Sequence, residues 1–344
     1  MQQRSCGDSG LPLSVLGLGT MTFGNETDEA GAHLQLDQFV AAGGTFIDTA
    51  DVYSHGASEE IIGRWITGRG HHDDIILGTK GRMPMTGGPL GRGASRRYLT
   101  RALEASLSRL GTDHVDLYQI HAWDPATPIA ETLEVLDGFV AAGLVRYVGW
   151  SNVTGWQLQK ILRVCDVDGL APPVSLQPQY NLLDRGIELE LMPQCLEEGV
   201  GLLPWSPLGG GWLTGKYSRD HRPEGATRLG EDPSRGVEAY DLRNADQTFE
   251  VIEELARLAE GHGASIAQVA LAWVRQRPGI TSVILGARTT EQLQDNLGSL
   301  DVTLAPEEMA RLTAVSAPGI PAYPYGFLAD LADVDWWQRL GTRR

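Results

Sequence analysis

Short runs of β-branched and apolar residues recur along the whole of this 344-residue chain, separated by longer segments whose apolar residues fall at helical spacing. That alternation is the pattern of repeated βα units and argues against all-β and all-α folds. Eight runs are counted, at residues 45–48, 75–79, 115–120, 145–149, 174–177, 200–204, 282–285 and 301–304. Each is short enough to be a strand buried on both faces, as a parallel sheet requires. The expected fold is therefore α/β, a (β/α)8 TIM barrel. Barrels of this length fold around one core, so residues 1–344 are read as a single domain.

The intervening segments carry their own helix signals. Ser95 can cap a helix whose Leu99, Leu103, Leu107 and Leu110 share one face, and Gly111 can end it. Residues 128–142 end in the same way at Gly143, and residues 250–260 at Gly261. An Asp8-Ser9-Gly10 turn between short apolar runs predicts an N-terminal β-hairpin ahead of the first barrel strand. Two stretches interrupt the rhythm. Residues 206–244, rich in Gly, Arg, Asp and Pro, read as a long loop after the sixth strand, a candidate mobile lid. Residues 318–344, with Trp336 and Trp337, read as a tail folded back over the barrel.

A formal net charge of −16 repels DNA, RNA and anionic lipid, and no dense Lys/Arg cluster offsets it, so nucleic acid is not an expected partner. Cys6, Cys165 and Cys195 have neither disulfide-framework nor metal-ligand spacing, which fits a reducing cytoplasm. The N-terminus lacks a long apolar core and no run of 18 apolar residues follows, so a soluble protein without signal peptide or membrane span is expected.

In such a barrel the active site gathers at the C-terminal ends of the strands. Read in order, those ends present Asp48 with Tyr53 nearby, Lys80, His121, Ser151 with Asn152, Gln177, Trp205 with Ser206, and Gly286 with Arg288. Lys80 is one of only three lysines, and a charge directly after a buried strand is a poor place for an incidental one. A free phenol, with a pKa of about 10, exchanges protons poorly at neutral pH, and a neighbouring ammonium lowers it. Lys80 can serve Tyr53 in this way, Asp48 can be the counter-charge of Lys80, and His121 can orient a substrate oxygen or help relay a proton. The set suits a reaction in which negative charge develops on an oxygen that must then receive a proton, as in hydride addition to a carbonyl.

Taken singly, these residues have ordinary explanations. Asp48 can be a cap, His121 a satisfied polar group and Tyr53 a packing residue; their joint occurrence at successive strand ends is what argues for a site. The His71-His72 pair beside Asp73 and Asp74 precedes the second strand, where stability rather than catalysis is expected, and is read as a solvated loop. No metal site is expected. Arg92, Arg96, Arg97 and Arg101 are read as an exposed helix face, whereas Trp156 and Trp212 can be either core or pocket lining.

Six motifs in sequence, G-T-M-T-F-G at 19–24, D-T-A-D-V-Y at 48–53, G-T-K at 78–80, Q-I-H at 119–121, W-S-N at 150–152 and W-S-P-L at 205–208, resemble the aldo-keto reductase superfamily over roughly residues 12–316. The likeness is to its bacterial NADP-dependent oxidoreductase branch. The resemblance implies a catalytic tetrad of Asp48, Tyr53, Lys80 and His121, and NADP(H) bound across the barrel mouth without a Rossmann domain. It implies Ser151, Asn152 and Gln177 at the nicotinamide carboxamide and Trp205 stacked on the ring, with Thr20 and Met21 among the cofactor contacts. Ser206, Leu208, Gly210 and Lys216 are implied around the pyrophosphate, and Gly286, Arg288, Gln292 and Asn296 at the adenosine end, with Arg288 on the 2′-phosphate. Phe23 and Trp123 are expected to face a small-molecule carbonyl substrate: a small aldehyde, a keto-sugar or an aromatic carbonyl. The implied activity is NADPH-dependent reduction of an aldehyde or ketone to the alcohol. Rival readings are a nucleotide-binding sensor with little turnover, as in the similar potassium-channel β subunits, and a metal-dependent isomerase, for which no carboxylate cluster is seen. The oligomeric state is open.

Overall fold

The computed structural model describes residues 1–70, 73–225, 227–232, 234 and 236–332. A two-stranded antiparallel hairpin, β1 (Gln3–Ser5) and β2 (Pro12–Ser14), comes first, turning at residues 6–11 as expected. Eight parallel strands follow: β3 (Leu16–Gly19), β4 (Phe46–Asp48), β5 (Ile76–Gly81), β6 (Val115–Ile120), β7 (Val145–Ser151), β8 (Pro173–Gln177), β9 (Gly201–Leu202) and β10 (Val283–Leu285). They lie in the order β10-β3-β4-β5-β6-β7-β8-β9, each parallel to its neighbour. The seam between β9 and β10 is closed by backbone bonds, Thr281 N to Leu202 O at 2.9 Å and Ile284 N to Pro204 O at 2.9 Å. Helices on the outside connect the strands, and the result is the expected (β/α)8 barrel.

Seven of the eight expected runs are strands; one is not, and one strand was not expected. The first barrel strand is β3, hidden in sequence because Leu16–Gly19 alternates leucine with glycine, a residue depleted in strands. Residues 301–304 form no strand. Val302 and Leu304 are buried, but the carbonyl of Val302 accepts from the Arg275 guanidinium at 2.8 Å instead of from a ladder partner. The long loop at 206–244 consequently follows the seventh barrel strand, not the sixth.

The glycines of β3 and β5 have a packing reason. A Cβ on Gly17 or Gly78 would lie 2.8 or 2.9 Å from the ring of Phe46, so both strands must be bare for that ring to fill the barrel interior. Phe46 packs there with Leu117, Leu203 and Ile284, and the hairpin residues Cys6, Leu11 and Leu13 join the same cluster and floor the barrel at its N-terminal end. Full burial of each such side chain is worth roughly 1.5–3 kcal/mol.

The helix Arg96–Leu110 starts and stops where its residues say: Ser95 Oγ accepts from the Tyr98 amide, Leu99, Leu103 and Leu110 are buried, and Gly111 takes a left-handed φ of 66°. The helix expected at 250–260 is longer, Asp246–His262, because the buried Thr248 continues its inner face toward the N-terminus and the left-handed terminator is Gly263 rather than Gly261. Arg92, Arg96, Arg97 and Arg101 are exposed, and Arg96 pairs with Glu134 at 2.6 Å.

The 206–244 segment is not bare loop. It holds short helical turns at Gly209–Thr214, Arg228–Glu231, Gly236–Glu238 and Tyr240–Arg243 around a small core of Trp212, Tyr217, Leu229 and Tyr240. Trp212 stacks on Tyr240 at 5.6 Å between ring centres, and its indole N–H donates to Glu238 O at 3.0 Å, so Trp212 is core. The tail is described as far as Ala332, and Trp336 and Trp337 lie outside the described residues, as do His71 and His72. Tyr325 donates its hydroxyl to Glu190 in the loop after β8, which holds the tail at the mouth side of the barrel.

Candidate active site

The strand ends deliver the four expected groups to one place. β4 ends at Asp48 and β5 carries Lys80, whose Nζ lies 2.6 Å from Asp48 Oδ2 and donates to Thr49 O at 2.8 Å. Tyr53 sits just beyond β4, its hydroxyl 3.5 Å from Lys80 Nζ, and His121 follows β6 with its ring edge-on to Tyr53 at 5.8 Å. Lys80 is wholly buried and Asp48 nearly so, while Asp48, Tyr53 and His121 line a groove. Asp48 Oδ1 also accepts from Gln177 Nε2 at 2.8 Å and from Gln119 Nε2 at 3.3 Å, so two amides and an ammonium satisfy its charge.

The electrostatics follow from this packing. Burial works against the Lys80 ammonium, but Asp48 and the Tyr53 hydroxyl outweigh it and hold its pKa above the ordinary lysine value. Burial pushes the Tyr53 phenol upward; Lys80 pulls it down as expected, Asp48 adds to the rise, and the net direction is up. The expectation of a net lowering is thus corrected, because desolvation of the phenolate exceeds the attraction of an ammonium already shared with Asp48. His121 is pushed down to about 3 by burial first and by Lys80 and Arg82 after it. It is therefore neutral across the physiological range and can orient an oxygen, but it does not bring an imidazolium charge. Its Nδ1 is buried without a partner among the described residues.

The groove is a cavity of about 650 Å³ running across the barrel mouth. Every residue expected to contact the cofactor lines it: Thr20, Met21, Ser151, Asn152, Gln177, Trp205, Ser206, Leu208, Gly210, Lys216, Gly286, Arg288, Gln292 and Asn296. Several of these side chains already hold one another. Ser151 Oγ donates to Gln177 O at 2.6 Å, and Asn152 Nδ2 donates to His121 O at 2.9 Å. Trp205 Nε1 donates to Asn152 Oδ1 at 3.2 Å. Asn152 and Ser206 both have a left-handed φ of 51°, which turns their side chains at the strand ends.

At the far end of the groove stand three cations, Lys216, Arg228 and Arg288. Burial lowers the pKa of Lys216, and the charges of Arg288 and Arg228 lower it further. Arg288 pairs with Glu231 at 2.8 Å and with Glu26 at 3.4 Å, and Arg228 pairs with Glu238 at 2.6 Å. Glu238 also accepts from Ser206 Oγ. A groove with a flat indole and amide groups near the tetrad and mutually repelling cations at its other end fits an extended dinucleotide with phosphates.

Neither of the two expected substrate contacts lines the groove. Phe23 is wholly buried in the main core and does not line the groove, a correction explained by its turn: Thr22 Oγ1 bonds Ala287 O at 3.0 Å and directs the turn inward. Trp123 does not line the groove either: it is half-buried against the main core, with its ring 5.6 Å from that of the exposed Trp156. The lining near Tyr53 includes Met83 and Ala122, which were not anticipated. Gln119 was also missed, although an amide directly before the end of a buried strand was a usable signal. Arg228 had no signal, being one of many arginines in a polar segment.

Among the described residues no group of three or more His, Cys, Asp or Glu side chains is placed to hold a metal ion, and no helix is long and apolar enough to cross a membrane.

The chain is similar to several known proteins. Protein tas of Escherichia coli strain K12 is 35% identical, with 92% of this chain and 97% of the relative covered. A protein named a probable voltage-gated potassium channel subunit beta, of Oryza sativa subsp. japonica, is 35% identical over 92% of this chain and 96% of its own. An aryl-alcohol dehydrogenase [NADP(+)] of Phanerodontia chrysosporium is 32% identical over 94% and 88% respectively. The model of the Aldo/keto reductase family matches residues 15–317. With the barrel, the strand-end tetrad and these likenesses together, the chain belongs to the aldo/keto reductase family of oxidoreductases.

Proposed function

We propose that this protein reduces an aldehyde or ketone to the alcohol with NADPH, and that Tyr53 is the proton donor. The observation that carries the reading is the buried relay Asp48–Lys80–Tyr53, 2.6 and 3.5 Å per link, opening on the groove at Tyr53. When bound in the groove, a reduced nicotinamide would supply the hydride for the carbonyl carbon. Tyr53 gives its proton to the carbonyl oxygen as charge develops there, and Lys80, held charged by Asp48, stabilises the phenolate left behind. Neutral His121 orients the same oxygen. Trp205 and Asn152 would position the ring face, and Lys216, Arg228 and Arg288 would hold the phosphates. Preference for the 2′-phosphate is assigned to Arg288.

Met21, Met83 and Ala122 give the reacting end of the groove an apolar lining. Such a lining suits an aromatic carbonyl, in keeping with the aryl-alcohol relative. The test is loss of NADPH absorbance with 4-nitrobenzaldehyde and a panel of ketones and sugars, alongside Tyr53→Phe and NADH. Tyr53→Phe is expected to lose roughly 10²–10⁴-fold in turnover while still binding cofactor. Equal activity in Tyr53→Phe would remove Tyr53 from the mechanism. Tight NADPH binding with no reduction of any carbonyl favours a sensing role of the kind suggested by the channel-subunit relative.

A further inference from the structure

Directly behind the tetrad lies a second polar cluster, between the outer wall of β5 and β6 and the helices Ala57–Arg69 and Arg96–Leu110. It holds two buried carboxylates, Asp51 and Glu59, and one guanidinium, Arg109. Arg109 is committed to Glu59, with Nε 2.7 Å from Oε2, and Glu59 Oε1 accepts from Thr79 Oγ1 at 2.5 Å. Neither oxygen of Asp51 makes a hydrogen bond of good geometry, although the residue is 1% exposed. The hydroxyl of Tyr118, in the same cluster, is likewise buried without a partner among the described residues.

Two buried acids facing one cation leave one negative charge without compensation, and a lone buried carboxylate takes up a proton rather than stay ionised. Burial first, and the charge of Glu59 second, push Asp51 up to about 7; the Val52 amide, Arg109 and Lys80 offset only part of this. The other titratable groups facing it are Tyr98 on the helix Arg96–Leu110, Tyr118 on β6 and Tyr53 itself.

Asp51 is also coupled to the reacting group. It stands two residues before Tyr53, its amide donates to Lys80 O at 3.1 Å, and its negative charge is among those that raise the Tyr53 phenol. We propose that Asp51 is a positioning residue whose charge state tunes the acidity of Tyr53: ionised, it holds the proton on the phenol; protonated, it releases that hold. The proposal rests on Tyr53 being the proton donor. In the direction of alcohol oxidation, where Tyr53 must accept a proton, ionisation of Asp51 delays formation of the phenolate to higher pH.

Two readouts test this without turnover and one with it. In the free wild-type protein, the infrared band of a protonated carboxyl group is expected to vanish as pH rises through neutrality and to be absent from Asp51→Asn. Glu59→Gln, which removes the like charge and frees Arg109, is expected to move that loss to lower pH, and it serves if Asp51→Asn does not fold. Phenolate absorbance of Tyr53, taken as the difference from the matching Tyr53→Phe protein, is expected to titrate roughly half to one pH unit lower in Asp51→Asn. The ascending limb of alcohol oxidation, where the rate rises as Tyr53 ionises, should move to lower pH by the same amount. A wild-type protein with no neutral-range carboxyl band overturns the proposal, as does an Asp51→Asn protein whose rate falls uniformly while the limb stays in place. If Tyr53→Phe remains active, the proton-donor reading fails while the carboxyl titration still reports on Asp51.

Discussion

Lys80 and Asp48 meet at 2.6 Å in a place that water does not reach, one at the second position from the end of β5 and the other at the last of β4. The register of the two adjacent parallel strands pairs Asp48 with Gly78, and Lys80, two residues further along β5 and so on the same face, reaches back to the carboxylate. The pair supports the Tyr53 hydroxyl proposed as the proton donor, and it is also a stability liability if split. Asp48→Asn leaves a buried ammonium without its anion and is expected to cost about 3–5 kcal/mol in urea unfolding, with activity falling as well. Adding Lys80→Met to Asp48→Asn should recover part of that stability and none of the activity. A double variant less stable than Asp48→Asn would show that the pair is not coupled in this way.

Arg288 lies at the opposite end of the groove, held by Glu231 and Glu26. Replacing it with alanine is expected to weaken NADPH binding roughly 10–100-fold, the worth of charge-assisted bonds to a phosphate, with little change for NADH. Cofactor fluorescence titration separates the two. Equal weakening of both would place Arg288 on a part of the dinucleotide that the two cofactors share.

His121 ties stability to pH. Its imidazole is pushed down to about 3 in the folded chain by burial, whereas an unfolded histidine titrates near 6.5. The unfolded chain therefore binds a proton below about pH 6.5 that the folded chain refuses until about 3, and stability falls as pH drops through that window. His121→Gln should flatten this part of the acid dependence in unfolding measured at a series of pH values. An unchanged slope would mean that other groups carry it.

Gly78→Ala tests the barrel interior. The added Cβ would lie 2.9 Å from the ring of Phe46, an overpacking expected to cost about 1–3 kcal/mol and to lower Tm. A Phe46→Leu background should relieve the clash, making the glycine substitution less costly there than in the wild-type chain.

How much of this was legible in advance depends on the range of the interaction involved. The Ser95 cap, the Gly111 stop and the hairpin turn are decided within a few residues, and the structure has them as the chain implies. The order of Asp48, Tyr53, Lys80 and His121 at successive strand ends is also a local fact repeated, because the end of a buried strand is where a polar residue is tolerated. The boundary of the helix Asp246–His262 was less clear, since either Gly261 or Gly263 could have ended it and only the packing of its buried face selects one.

What the chain alone determined, then, is the alternation of strand and helix and the chemical inventory at the barrel mouth. Only the tertiary structure decided which runs pair and which acids share a cation. Leu16–Gly19 becomes a strand because Phe46 and Ile284 need its bare glycines, while the more strand-like residues 301–304 find no edge to join. Phe23 turns into the core and Trp123 packs against it beside Trp156, outside the groove lining, a choice made by contacts with residues more than a hundred positions away for Thr22 and by Trp156 for Trp123. Gln119 and Gln177 converge on Asp48, and Asp51 is left facing Glu59 across an arginine already taken. Periodicity reports which face of an element is buried, but the partner that each buried polar group meets depends on non-local closure of the barrel, which no local pattern encodes.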